Sequence, residues 1–158
     1  MFRVGFGYDV HALGEGLPLV LGGVKIPHEK GCIAHSDGDV LVHAICDALL
    51  GAVALGDIGK HFPDTSDEFK GINSLILLAR VAELLREQGY KVGNIDSTIA
   101  MQRPKLRPYI DQMRERIAKA IGVEIERVSV KATTTEHLGF EGEEQGVSAT
   151  AVCLLMKD

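Results

Sequence analysis

The first eleven residues alternate between large apolar side chains and small or polar ones, and this pattern limits the fold more than any other feature of the chain. The apolar series is Phe2, Val4, Phe6, Tyr8 and Val10, and between them stand Arg3, Gly5, Gly7, Asp9 and His11. A period of two predicts a β-strand, because successive side chains of a strand point to opposite faces. We therefore expect the chain to begin with a strand of a sheet.

The rest of the chain alternates between predicted helices and strands. A short hairpin is expected over Leu17 to Ile26 with Gly22-Gly23 at its turn, followed by a polar loop over residues 27–38. Apolar residues at helical spacing predict three helices, which end near Gly56, Gly89 and Gly122. Further strands are predicted over residues 95–101, 128–132 and 147–156. The expected fold class is α+β, a mixed α/β sandwich of a sheet with helices on one face.

The last predicted strand, Val147 to Met156, is nearly apolar on both of its faces. A strand of this kind needs cover on both sides of its sheet. Helices supply one side, and another subunit is a candidate for the other, because small symmetric oligomers are common.

Composition excludes several classes of protein. A length of 158 residues fits one domain, and a formal charge of −5 is unsuited to a general nucleic-acid-binding surface. The three cysteines form no CxxC pair, which disfavours a zinc ribbon or a disulfide scaffold. The most apolar stretch, Ala48 to Gly56, is too short to span a bilayer, and residues 1–13 do not resemble a signal peptide. We expect a cytoplasmic protein without nucleic-acid or membrane partners.

Asp9 and His11 are the first candidates for chemistry. Two residues apart on a strand, they share one face, and a carboxylate beside an imidazole can hold a divalent cation. A third ligand would complete a zinc site with an open position, and His43, in the first turns of a predicted helix, is the candidate. The alternatives are a surface Asp–His hydrogen bond and a structural helix histidine.

Two further groups of polar residues have open interpretations. Asp57 and Asp64 could bind sugar hydroxyls or a second cation; alternatively, Asp57 could cap a short turn and Asp64 could form an Asx-turn. Lys131 to Glu136 contains three consecutive threonines, whose donors suit phosphate oxygens if a Mg²⁺ ion lies between the phosphate and Glu136. The alternative is a polar strand end. The common nucleotide and hydrolase motifs, GxGxxG, GxxxxGK[ST], GxSxG and HExxH, are absent.

These segments, taken in order, resemble the 2-C-methyl-D-erythritol 2,4-cyclodiphosphate synthase family over essentially the whole chain. The resemblance lies in GYDVH at 7–11, AHSDGDV at 34–40 with His43 downstream, GDIG at 56–59, FPDT at 62–65, PK at 104–105, KATTTE at 131–136 and LGF at 138–140. The segments around His35 and the three threonines are specific motifs, so that their joint occurrence by coincidence is improbable.

The resemblance implies an enzyme of the non-mevalonate route to isoprenoid precursors. Its reaction would be the metal-dependent cyclisation of 4-diphosphocytidyl-2-C-methyl-D-erythritol 2-phosphate to 2-C-methyl-D-erythritol 2,4-cyclodiphosphate, with release of CMP. It further implies one catalytic domain over residues 1–158 with a four-stranded mixed sheet, and a homotrimer whose sheets pack around the threefold axis. Active sites would lie between adjacent subunits.

The resemblance also assigns roles to residues. Zinc would be held by Asp9, His11 and His43, and a second cation, Mg²⁺ or Mn²⁺, would sit at the diphosphate with Glu136. The catalytic residues would be His35, as a transition-state stabiliser, and Thr134. The substrate would be bound by Ser36, Asp57, Ile58, Gly59, Asp64 and Phe140. The cytidine nucleotide would be bound, from the neighbouring subunit, by Met101, Pro104, Lys105, Leu106, Arg107, Ala132, Thr133 and Thr134.

Two other functions are compatible with the same residues. One is a non-catalytic trimer that binds metal or nucleotide, and the other is a metal-assisted nucleotide phosphohydrolase. Loss of some of the assigned residues would favour the binding protein, but all of them are present. Product analysis separates the phosphohydrolase, because hydrolysis leaves an open-chain phosphate and no ring.

Overall fold

The computed structural model of the chain describes residues 1–63 and 67–158. Its strands are β1 (Phe2–Glu15), β2 (Leu19–Leu21), β3 (Val24–Ile26), β4 (Lys30–Cys32), β5 (Lys91–Ala100), β6 (Val128–Thr133) and β7 (Gly146–Met156). Its α-helices are α1 (Val40–Ala52), α2 (Ile58–His61), α3 (Ser74–Glu87), α4 (Ile110–Ile121) and α5 (Gly139–Gly142), with 3-10 turns at Asp67–Phe69, Arg107–Tyr109 and Ile125–Arg127. The predicted N-terminal strand and the hairpin around Gly22-Gly23 are confirmed.

The main sheet is mixed and, among the described residues, has five strands in the order β4-β1-β7-β5-β6. In the part of the chain that the structure describes, only the β5–β6 pair of this sheet is parallel. The expectation of four strands was wrong, because Lys30–Cys32, which was predicted to be loop, pairs with Leu13–Glu15 as β4. A strand of three residues is too short to show a period of two, and Gly31 interrupts its side-chain pattern.

The helices pack on one face of the sheet, where α1 lies against β1 and β7 and α4 lies against β6. Helix α1 comes so close to β1 that a side chain at Gly5 or Gly7 would overlap it. A Cβ built on Gly5 would lie 1.8 Å from the carbonyl oxygen of Ala48, and one on Gly7 would lie 1.9 Å from that of Ala44. The small residues of the N-terminal alternation therefore face the helix, and the large apolar ones face away from it.

That opposite face of the sheet has an exposed apolar patch. Its members are Phe2, Val4, Phe6, Tyr8 and Val10 of β1 with Val152 of β7, which are between 40% and 69% exposed. Phe6 and Val152 are direct cross-strand partners. We call this set the β1 patch. Among the described residues, no helix is long and apolar enough to cross a membrane.

Asp39 joins the small hairpin to the start of α1. Its carboxylate accepts hydrogen bonds from the backbone N–H of Val42 at 3.1 Å, Gly22 at 2.9 Å and Gly23 at 2.7 Å. The side chain is fully buried. Burial and the neighbouring Asp37 carboxylate raise the pKa of Asp39 to about 6, although the three N–H donors act in the opposite direction.

This raised pKa predicts a pH-dependent stability that Asp39→Asn removes. A carboxyl whose pKa is higher in the folded than in the unfolded chain binds its proton more tightly when folded, so its contribution to stability falls as pH rises from about 4 to about 6. The free energy of unfolding of the wild type, minus that of the variant, should therefore decrease across this range. Urea denaturation at several pH values measures the difference, and a constant difference would contradict the assignment.

Candidate active site

Three side chains from two elements place their ligand atoms around one point. β1 carries Asp9 and His11 on the face toward α1, and the first turns of α1 carry His43. Asp9 Oδ2 lies 3.1 Å from His11 Nε2 and 3.0 Å from His43 Nδ1, and the two nitrogens are 3.3 Å apart. Among the described residues, this is the group of histidine, cysteine and acidic side chains that could hold a metal ion.

The spacing of these three atoms fits a small divalent cation. Zinc bonds of about 2.0–2.1 Å in a tetrahedral site place neighbouring ligand atoms about 3.3–3.4 Å apart. The observed separations of 3.0–3.3 Å come close to that edge length. One carboxylate and two imidazoles leave a fourth position open, which is typical of catalytic zinc sites. The donor set therefore suits the predicted metal.

The electrostatics of the group favour a bound cation. Burial raises the pKa of the Asp9 carboxyl, but hydrogen bonds and charge interactions with His11 and His43 outweigh this and lower it to about 2. Burial lowers the pKa of the His43 imidazole, but the Asp9, Asp39 and Asp37 carboxylates outweigh this and raise it. The anionic Asp9 thus faces two imidazoles, and a divalent cation would supply the positive charge between them.

The other nitrogen of His43 is held by two serines. His43 Nε2 lies 2.8 Å from Ser74 Oγ and 3.2 Å from Ser36 Oγ. Ser74 is the first residue of α3, and its hydroxyl donates to Asp37 Oδ1 while its backbone N–H donates to Asp37 Oδ2 at 2.8 Å. The imidazole is thereby fixed between β1, α3 and the loop before α1.

A cavity of about 240 Å³ is lined in part by the side chains of Asp9, His11 and His43. This cavity brings together most of the residues assigned to metal and methylerythritol binding. The assigned residues that line it are Asp9, His11, His35, Ser36, His43, Ile58 and Gly59. Its other walls are Ala34, Phe62, Ile72 and Leu77. The backbone N–H of Ile58 donates to Asp47 Oδ1 of α1 at 2.7 Å, which attaches this wall to the helix that carries His43.

A second, larger cavity of about 730 Å³ lies between the end of β6 and the segment after β5. All of the residues assigned to the cytidine nucleotide line it: Met101, Pro104, Lys105, Leu106, Arg107, Ala132, Thr133 and Thr134. Two threonine hydroxyls of this segment donate to nearby carbonyl groups. Thr133 Oγ1 donates to the carbonyl of Thr134, and Thr135 Oγ1 donates to that of Leu138.

Some of the assigned residues that the structure describes line neither cavity. Asp57 is the N-cap of α2, where its Oδ1 accepts from the backbone N–H of Lys60 at 3.0 Å. Glu136 is exposed in the turn after β6, and Phe140 lies in α5, 39% exposed. Asp64 lies outside the described residues. The roles that the resemblance gives to these residues, like those of the residues that line the two cavities, stay predictions.

Sequence reasoning missed two residues that hold the site. Asp37 stands in the polar segment around His35, but no property of the segment distinguishes it from its neighbours. Ser74 contacts His43 from 31 residues along the chain, and a serine before a helix indicates only a cap. The larger cavity is also lined by five residues that were not assigned: Gln102, Ile110, Asp111, Val130 and Lys131.

Comparison with known proteins finds relatives of this chain over almost its whole length. The model of the YgbB family matches residues 2–156. The 2-C-methyl-D-erythritol 2,4-cyclodiphosphate synthase of Desulfitobacterium hafniense is 62% identical over 157 residues, 99% of each chain.

Solved structures agree as well. Bifunctional IspDF from Campylobacter jejuni superposes with a TM-score of 0.96 at 44% identity, over all of this chain and 43% of that longer one. The CDP complex of IspF from Plasmodium falciparum superposes with a TM-score of 0.87 at 35% identity, covering 99% of this chain and 97% of that one. Because the model of this family matches the chain almost from end to end, the chain belongs to the YgbB family.

Proposed function

We propose that this protein is a 2-C-methyl-D-erythritol 2,4-cyclodiphosphate synthase that cyclises 4-diphosphocytidyl-2-C-methyl-D-erythritol 2-phosphate and releases CMP. The observation that carries the proposal is the cavity in which the Asp9–His11–His43 group meets His35 and Ser36. The curated relatives carry the name of this enzyme at 62% identity. We propose one catalytic domain over residues 1–158, acting in the cytoplasm.

The reaction joins two anionic groups of the same molecule. An oxygen of the 2-phosphate forms a bond to the β-phosphorus, and the bond from that phosphorus to the α-phosphate oxygen breaks, so that CMP departs with the bonding electrons. No water is consumed. Phosphoryl transfer depends mainly on positioning and charge stabilisation, so the protein has to hold the ends together and reduce their repulsion.

Residues of the smaller cavity supply these two functions. Asp9, His11 and His43 would hold the divalent cation, zinc in our proposal, whose charge stabilises a phosphate oxygen when it is bound. His35 and Ser36 line the same cavity, and we assign them to the 2-phosphate, with His35 stabilising charge in the transition state. Ile58 and Gly59 form the wall for the methylerythritol unit, together with Asp57, Asp64 and Phe140.

The larger cavity is assigned to the cytidine nucleotide, which agrees with the CDP held by the Plasmodium falciparum relative. Met101, Lys105 and Thr133 are among its walls. Thr134, at the same cavity, is placed at the diphosphate as the counterpart of His35. Glu136 would hold Mg²⁺ or Mn²⁺ there, since a carboxylate oxygen suits a hard cation.

We further propose a homotrimer in which the sheets of three subunits pack around the threefold axis. The β1 patch supports this, because contiguous apolar side chains on an open sheet face are typical of a surface that another protein covers. Each active site would combine the smaller cavity of one subunit with the larger cavity of its neighbour.

Phe6→Asp is expected to separate the subunits and abolish activity. The side chain is 64% exposed in the single chain, so the variant should fold, while a buried carboxylate would oppose assembly. Sedimentation velocity and a CMP-release assay measure both effects. Gln112→Asp, which adds the same charge to an exposed position of α4, should remain trimeric and active. An active monomeric Phe6→Asp protein would refute the shared site.

Product analysis tests the reaction itself. Purified protein with zinc and magnesium should convert the substrate to CMP and a cyclic diphosphate, visible by phosphorus NMR as two coupled ring phosphates. A phosphohydrolase would yield CMP with an open-chain product, and a binding protein would leave the substrate intact. Either of these outcomes would refute the proposal.

A further inference from the structure

We infer that Asp37 and Ser74 are positioning residues that determine which nitrogen of His43 carries hydrogen, so that Nδ1 is kept as a bare lone pair facing Asp9 and His11. The inference deepens the proposed function, on which it rests, because it concerns the ligand set of the same site. Neither Asp37 nor Ser74 belongs to that ligand set.

The contacts form a chain that leads from a carboxylate to the ligand atom. The Ser74 hydroxyl lies between Asp37 Oδ1, to which it donates, and His43 Nε2, which is 2.8 Å away. Asp37 also accepts from the backbone N–H of Ser74 at 2.8 Å and from that of Asp39 at 3.1 Å. The Ser74 side chain is fully buried, so water does not offer it other partners.

For the neutral ring of His43, counting hydrogens along this chain leaves one arrangement. An ionised carboxylate only accepts, so the single hydroxyl hydrogen of Ser74 points to Asp37. Ser74 Oγ can then only accept from His43, and Nε2 must be the nitrogen that carries the hydrogen. A neutral imidazole has one N–H, so Nδ1 is bare, and its lone pair points toward Asp9 and His11. The hydrogen among these three atoms is then donated by His11 Nε2, which lies 3.1 Å from Asp9 Oδ2 and 3.3 Å from His43 Nδ1. A metal ligand needs this lone pair.

The same count reaches Ser36 on the cavity wall. Ser36 Oγ accepts from the backbone N–H of Gly38 at 3.4 Å and lies 3.2 Å from His43 Nε2. Because Nε2 is a donor in this arrangement, Ser36 also accepts there. Its own hydroxyl hydrogen is left for an acceptor in the cavity, and a phosphate oxygen is such an acceptor.

Asp37→Asn separates this role from a merely structural one. The amide has the shape of the carboxylate but can donate as well as accept. If it donates to Ser74 Oγ, the Ser74 hydrogen is free to turn toward His43 Nε2, and Nδ1 then carries the imidazole hydrogen. The wrong tautomer has no lone pair for the metal.

The test is ¹⁵N NMR of the histidine rings in the metal-free protein at alkaline pH, combined with zinc titration by calorimetry. In the wild type, His43 should be the Nε2–H tautomer. Asp37→Asn should show Nδ1–H and should weaken zinc binding about tenfold to a hundredfold, the range for partners that orient metal ligands. Ser74→Ala, which removes the acceptor altogether, should also weaken zinc binding.

Asn73→Ala is the matched control. Asn73 caps the same helix end by accepting from the backbone N–H of Leu75 at 2.9 Å. Among the described residues it forms no hydrogen bond with Asp37 or His43. This variant should keep the wild-type tautomer and zinc affinity. The inference is overturned if Asp37→Asn retains the Nε2–H tautomer, or if Asn73→Ala weakens zinc binding equally. A wild type that binds zinc but does not cyclise the substrate would overturn the proposed function alone, because the tautomer and affinity measurements are independent of turnover.

Discussion

Replacing His43 with alanine is expected to remove zinc binding and to lower the rate of cyclisation by about a thousandfold or more. His43 contributes one of the three ligand atoms, and its side chain is nearly buried between β1 and α3. A bound metal ion supplies several kcal/mol of charge stabilisation in the transition state, and about 4 kcal/mol corresponds to a thousandfold in rate. Zinc content after dialysis and single-turnover rates measure the two effects.

The histidine at position 28 provides the matched control for this experiment. His28 lies outside both described cavities, so His28→Ala should keep its zinc and its rate. Circular dichroism should show that both variants are folded. At position 43 the helix should persist because alanine is a better helix former than histidine. A folded, zinc-free His43→Ala protein with wild-type turnover would contradict the role assigned to the metal.

Gly7→Ala is expected to destabilise the fold by about 3 kcal/mol or more, the upper range for overpacking a core. The new Cβ would lie 1.9 Å from the carbonyl oxygen of Ala44, a backbone atom of α1 that cannot rotate away. Helix α1 would have to move from β1. Because His43 precedes Ala44 on that helix, while Asp9 and His11 are on the strand, such a movement would also separate the metal ligands. Urea denaturation and zinc titration should therefore both report a loss.

Gly51→Ala tests whether the effect comes from this close approach. Gly51 lies in the last turn of the same helix, and a Cβ built there would come within 4 Å of no described atom beyond its chain neighbours and the backbone of its own helix. Alanine in a helix is favoured over glycine by about 1 kcal/mol, so this variant should be slightly more stable. Equal stability of the wild type and Gly7→Ala would show that α1 does not lie against β1 as described.

The elements whose signal is local were predictable from sequence. The alternation over residues 2–11 predicts β1 because a strand has a period of two, and it places Asp9 and His11 on one face. The third member of the candidate metal group, His43, was predictable because it follows a polar segment at a helix start. Its meeting with the strand, 32 residues away, depended on the resemblance to a known family rather than on spacing.

Other features depend on contacts that no local pattern records. β4 forms because three residues find an open edge of β1, and Gly31 carries no side-chain preference for a strand. Ser74 reaches His43 only because α3 begins beside α1. The sequence allows two interpretations of Asp57. Its side chain accepts from the backbone N–H of Lys60, which agrees with a capping role, and its role toward the substrate is a proposal. Such pairings are set by tertiary packing.

The source of oxygen in the products tests the central claim most directly. If the 2-phosphate attacks the β-phosphorus within one molecule, a reaction run in H₂¹⁸O should place no ¹⁸O in CMP or in the cyclic diphosphate, and mass spectrometry of both products decides this. Incorporation of one ¹⁸O atom into CMP or into an open-chain phosphate product during turnover would mean that water is the nucleophile. The protein would then be a hydrolase that uses the same metal ligands and cavities.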